Sequence, residues 1–92
     1  MFNLFKSVDK RLEEEGYNLI FESSLKAVYE RYDDKFDFVH TVDIHREFNG
    51  EWILQSYNDT DMDVFLPVVP LTAYELNLFT KKMNQMRLFR YF

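Results

Sequence analysis

Imidazole and carboxylate side chains gather at one place in this chain, where His40, Asp43 and His45 follow one another closely. Such groups at close range are the materials of metal ligation and of acid–base catalysis. The surrounding residues alternate as a strand does, and successive side chains of a strand point to opposite faces. His40 is therefore expected on one face and Asp43 and His45 on the other, so the three do not converge. Asp43 and His45 remain a candidate pair for a metal or for proton transfer, with Gln55 beside them on the next strand. They lack a third donor, and a solvated polar pair is the plainer reading. His40 falls on the apolar face beside Ala27, where a hydrogen-bonded core histidine is expected.

Asp59, Asp61 and Asp63 alternate like the start of a calcium loop, but Val64 stands where that loop needs glycine and Pro70 where it needs glutamate. An acidic solvated loop is the expectation. The two glycines, Gly16 and Gly50, both sit in turns, which leaves none for a phosphate-binding loop. Ser23 and Ser24 lie in a turn without a base to activate them. With no cysteine in the chain, disulfides and thiolate metal sites are excluded. These signals predict no enzyme and no cofactor or metal.

The elements that position these residues follow from periodicity. A first helix is expected after Asn3 as N-cap, with Leu4 or Phe5, Val8 and Leu12 on its inner face and Gly16 as its stop. Tyr17 then folds back toward Leu12. Strand register is set by asking which alignment puts apolar residues on one face. For Phe48-Asn49-Gly50, a three-residue loop with a left-handed Gly50 sets Ile44 opposite Leu54 and Arg46 opposite Trp52. For Asp33-Asp34, a two-residue loop aligns Leu25 with Val42, Ala27 with His40 and Tyr29 with Phe38. A tight turn at Ser23 to Leu25 adds Leu19 and Phe21 to the same face. Thr72 and Glu75 form a capping box, with Leu71 and Leu76 at the positions of a hydrophobic staple. Leu76, Phe79, Met83 and Met86 make the inward stripe of that last helix. The expected fold is a single α+β domain over residues 1–92, α-β-β-β-β-α, a four-stranded antiparallel meander sheet packed against N- and C-terminal helices.

Charge is uneven. Residues 1–75 hold all 16 acidic residues against 7 basic ones, while residues 76–92 hold Lys81, Lys82, Arg87 and Arg90 and no acid. An acidic body repels phosphate backbones, so direct nucleic-acid binding is not expected of it. The four cations also suit a helix C-terminus, whose dipole they complement. The apolar run from Val64 to Leu71 is too short and too proline-broken to span a bilayer. Lys6, Asp9, Lys10 and Arg11 interrupt any signal peptide, and a cytoplasmic location is expected.

Aromatic residues number 17 of 92. A sheet face and two helices absorb fewer rings than that, so some must lie at the surface, with Phe48, Tyr57, Phe89, Tyr91 and Phe92 the candidates. The second sheet face carries Ile20, Val28, Val39 and Ile53, and the registers above put the first three in one row. That row is either an interface, with a partner or a second copy of the chain, or a surface covered by a helix or by the 58–70 connection.

At Val42 to Arg46, at Ile53 to Tyr57 (I-L-Q-S-Y) and at Leu71 to Met83 (L-T-A-Y-E-L-N-L-F-T-K-K-M), the chain resembles a group of small uncharacterised proteins encoded by phages and prophages of Gram-positive bacteria. The Tyr29-Glu30-Arg31 strand and the Leu-Glu-Glu-Glu-Gly end of the first helix belong to the same likeness, while Pro70 and the 58–66 loop depart from it. The shared motifs are caps, strands and core positions, so the resemblance implies a fold and a phage setting but no activity.

The leading expectation is a non-enzymatic accessory protein that binds a host protein or complex, with inhibition of a host nuclease or defence system as one form. Ile20, Val28, Val39, Ile53, Tyr57, Lys81, Lys82, Arg87 and Arg90 are its candidate interaction residues. The first rival is a single-strand nucleic-acid module using sheet aromatics and the basic helix. The second is a metal-dependent enzyme built on Asp43 and His45.

Overall fold

The computed structural model describes residues 7–59 and 68–89. Its elements are α1 (Val8–Glu14), β1 (Asn18–Glu22), β2 (Lys26–Asp33), β3 (Phe38–Arg46), β4 (Trp52–Asn58) and α2 (Ala73–Phe89). The four strands form one antiparallel sheet in the order β1-β2-β3-β4, the meander expected from the sequence.

The cap of α1 is Ser7, whose hydroxyl accepts the Lys10 N–H at 3.1 Å. It replaces the expected Asn3, which lies outside the described residues together with Leu4 and Phe5. Gly16 ends the helix at φ 93°. The Gly16 N–H then reaches the Glu13 carbonyl, and the Tyr17 N–H the Leu12 carbonyl, closing a Schellman motif.

The β3–β4 hairpin has the expected register, Ile44 opposite Leu54 and Arg46 opposite Trp52. Gly50 sits at φ 93°, and its N–H bonds the Glu47 carbonyl. The β2–β3 connection differs from expectation. It is a four-residue loop that pairs Asp33 with Phe38, Tyr29 with Val42 and Ala27 with Ile44. Asp33 builds this loop, because its carboxylate accepts the N–H groups of Lys35 and Phe36. Asp37 closes it at φ 58°, a conformation that aspartate tolerates. The slip from the expected register is four residues, an even number, so each side chain keeps its face.

At β1 the parity does change. Leu19 pairs with Tyr29 but Phe21 with Val28, and a bulge at Ile20 separates them. Phe21 therefore leaves the expected face and Glu22 takes its place opposite Ala27. The second-face row also dissolves, since Val28 lies opposite Asp43 and Val39 opposite Tyr32.

The helices cover the first face. Leu12, Tyr17, Ala27, Tyr29, Val42, Ile44, Leu78 and Phe79 are essentially inaccessible, with Trp52, Leu54, Leu71 and Met83 packed against them. Phe79 is the wedge of α2: its ring meets Tyr17 edge-on at 5.0 Å and Tyr29 at 5.4 Å. The capping box forms in full, Thr72 N–H to Glu75 Oε1 at 2.9 Å and Glu75 N–H to Thr72 Oγ1 at 3.1 Å. The inward stripe is Glu75, Leu78, Phe79, Lys82 and Met86. Leu76 is 47% exposed instead, because it stands about 100° around the helix from Glu75.

Candidate functional site

Asp43 and His45 do meet on the face away from the helices. His45 Nδ1 lies 2.9 Å from Asp43 Oδ1, and its Nε2 lies 2.8 Å from Glu47 Oε2. Gln55 stands opposite Asp43 as expected. Both ring nitrogens of His45 thus face carboxylates of its own strand segment, which stand in the directions from which a metal ion would approach them. Glu47, which sequence reasoning missed, follows at the next alternate position along the chain. Among the described residues no group of three histidine or acidic side chains could hold an ion.

A second cluster lies under the helices. Tyr17 donates to Glu75 Oε2 at 2.9 Å, and Arg31 Nη1 pairs with the same oxygen at 2.9 Å. The Arg31 guanidinium also stacks 4.1 Å from the Tyr17 ring centre and donates to the Glu15 carbonyl. Burial alone would raise the Glu75 carboxyl, but the Thr72 N–H, the Tyr17 hydroxyl and Arg31 outweigh it and hold it below its ordinary value. The other arm of Arg31 reaches His40 Nδ1 at 3.4 Å, and His40 Nε2 lies 2.7 Å from Ser56 Oγ.

The Ser56–His40 contact has the spacing of a nucleophile and its base, and sequence reasoning did not foresee it. Its polarity is the reverse of what catalysis needs. Arginine can only donate, so Nδ1 must accept and Nε2 must carry the proton it gives to Ser56. A base for serine requires a free lone pair on that nitrogen. Burial, then Arg31, keeps His40 neutral by lowering its pKa below the usual 6.5. His40 is thus the core histidine expected, although it sits opposite Arg31 and not Ala27.

A third cluster explains Lys82. Its amine donates to Asp9 Oδ2 at 3.0 Å and Glu22 Oε2 at 2.6 Å, while Tyr29 donates to the other Asp9 oxygen at 2.5 Å. Burial alone would lower the Lys82 pKa, but the Glu22 and Asp9 bonds raise it instead. Lys82 is 6% exposed and ties α1, β1 and α2 together, so it is no part of a basic surface. Arg90 lies outside the described residues. Lys81 and Arg87 are exposed, and Arg87 donates weakly to Asn84 Oδ1 at 3.4 Å.

The other candidates divide. Val28, Val39, Ile53 and Tyr57 are half-buried, and Thr41 and Asp43 between them are nearly inaccessible, so the second face is not an open apolar sheet. Thr41 Oγ1 is buried there without a hydrogen-bond partner. Val68 pairs with Tyr57 on the outer side of β4. Ile20, by contrast, is 52% exposed at the bulge, and all five residues of β1 are exposed. Among the described residues β1 pairs with β2 alone. Phe48 is fully exposed, as its turn position predicted, whereas the side chains of Phe89, Tyr91 and Phe92 lie outside the described residues.

An open groove of about 700 Å³ runs between the β3–β4 hairpin and the last turns of α2. Arg46, Trp52, Met83 and Arg87 line it. Its Arg46–Trp52 wall was legible in the hairpin register, but nothing in the sequence said which face of α2 would stand opposite.

No protein-family model, no curated protein and no solved structure matches this chain.

Proposed function

We propose that the protein is a non-enzymatic binding module that occupies a surface of a host protein or complex, as a phage accessory protein in a bacterial cytoplasm would. The observation that carries this reading is β1. It is an edge strand whose every residue is exposed and which presents Leu19, Ile20 and Phe21 in succession. Edge strands are usually short, charged or covered, because their unpaired backbone groups recruit other chains. β1 is itself short and bulged at Ile20, but its exposed apolar side chains suit it to pairing with a strand of another protein, with backbone bonds giving affinity and side chains giving specificity. The net charge of −5 complements the basic grooves of proteins that handle nucleic acid, a host nuclease or defence complex among them.

Tagged protein is used to capture partners from a Gram-positive host lysate, alongside Phe21→Glu, which places a charge on the exposed edge without touching the core. The proposal expects a specific protein retained by the parent and lost by the variant, with the melting temperature of the variant unchanged. Identical capture by both proteins, or none by either, contradicts it. Light scattering separates the other occupant of such an edge: a dimer that falls apart in Phe21→Glu would mean that β1 pairs with a second copy.

A further inference from the structure

At the opposite edge of the sheet from β1, we propose that the groove between the β3–β4 hairpin and α2 is a second binding site, one that takes an acidic segment of a partner protein carrying a large apolar side chain beside its carboxylates. The groove inverts the sign of the chain around it. Arg46 and Arg87 both line it, and among the described residues Glu51 is its one acidic wall. The side-chain partner of Glu51 is Asn49, at 2.6 Å, and not either arginine. Among the described residues Arg87 has only its long bond to Asn84, and the Arg46 guanidinium has no ion pair. What sets Arg46 and Arg87 apart is that they line the same groove, a local concentration of positive charge in a chain with 16 acidic residues, to which an acidic ligand is complementary.

Gly50 shapes the cationic wall. A Cβ there would stand 3.2 Å from Arg46 Nη2, so the absence of a side chain lets the guanidinium lie along the turn. The remaining lining is apolar: Trp52 and Met83 are half-buried, and Leu88 is 62% exposed. A bare phosphate or a free metal-binding anion would leave that half unused. A volume of about 700 Å³, open to solvent, suits a few residues of a partner chain. Single-stranded nucleic acid fits less well, since it needs a series of stacking rings along a positive track, and among the described residues one ring lines the groove, beside Glu51.

Trp52 is the sole tryptophan, so its indole N–H signal reports on the groove directly. The ¹⁵N-labelled protein is titrated with the blocked peptide acetyl-Glu-Asp-Leu-Phe-Glu-Asp-amide, with its counterpart bearing amides in place of every acid, and with an oligothymidylate. The expected result is a saturable shift of the Trp52 indole with the acidic peptide only, weakened about tenfold or more in Arg87→Gln and Arg46→Gln. Phe21→Glu leaves that titration unchanged, which separates failure of the groove from failure of the β1 edge. No shift at Trp52, equal binding of the amide peptide, indifference to Arg87→Gln, or tighter binding of the oligothymidylate would each overturn the proposal.

Discussion

Lys82, read in the sequence as part of a basic tail, is spent inside the molecule on Asp9 and Glu22. The spacing that puts it at i+4 from Leu78 was visible, but a charged type at a core position reads as surface until its carboxylates are located. Lys82→Ala should therefore cost stability and leave partner binding intact. Because both carboxylates are more than 40% exposed and solvated, the loss should be about 1–2 kcal/mol in urea unfolding, below that of a fully buried pair. His40 gives a pH dependence of definite sign. Its folded pKa lies below 6.5, so the stability it contributes is present above 6.5 and is lost as the pH falls, when the unfolded chain takes a proton that the folded one refuses. Glu75, also depressed, adds a further loss below its ordinary 4.5. Melting temperature should accordingly drop on acidification in two stages, and His40→Gln should flatten the first while sparing the second. Of the chemistry at this scale, the Asp43–His45 pair was legible because strand alternation alone places it. The Arg31–His40 contact was not, because a four-residue slip decides which side chains of β2 and β3 face each other, while the His40–Ser56 contact runs diagonally across a β3–β4 register that was foreseen.

At the scale of elements, the apolar-face test used on the sequence sees odd slips and is blind to even ones. It found the Gly50 bulge, since the plain hairpin would have turned Trp52 and Ile53 over. It could not separate the two-residue loop from the four-residue loop that Asp33 builds, because both keep Tyr29 and Val42 inward. The bulge at Ile20 had no signal of its own, and it moved Phe21 out and Glu22 in. The α2 start was the best specified element, with every bond of its capping box formed. Thr72→Ala should cost about 1 kcal/mol in chemical denaturation. Phe79→Ala, which removes the wedge between Tyr17 and Tyr29, should cost about 3–5 kcal/mol. A loss at Phe79 no larger than at Thr72 would mean that α2 does not pack on the sheet as described.

The whole molecule has one face under helices, with apolar and cationic features set at opposite sheet edges. Among the described residues the buried polar side chains other than Thr41 take part in three internal clusters, and the most exposed one, around His45, is faced by its own carboxylates. Among the described residues, the apolar edge of β1 and the guanidinium groove are the two surfaces on which the proposed binding rests. Both should respond to ionic strength, the partner association because it uses the net charge of −5 and the peptide binding because it uses Arg46 and Arg87, so each should weaken as salt screens it.

Hydrogen exchange on the protein with its captured partner bound tests the central claim most directly. The account predicts that the backbone amides of residues 18–22 that point away from β2, fast in the free protein, become protected in the complex. A complex in which those amides exchange as fast as before would contradict it.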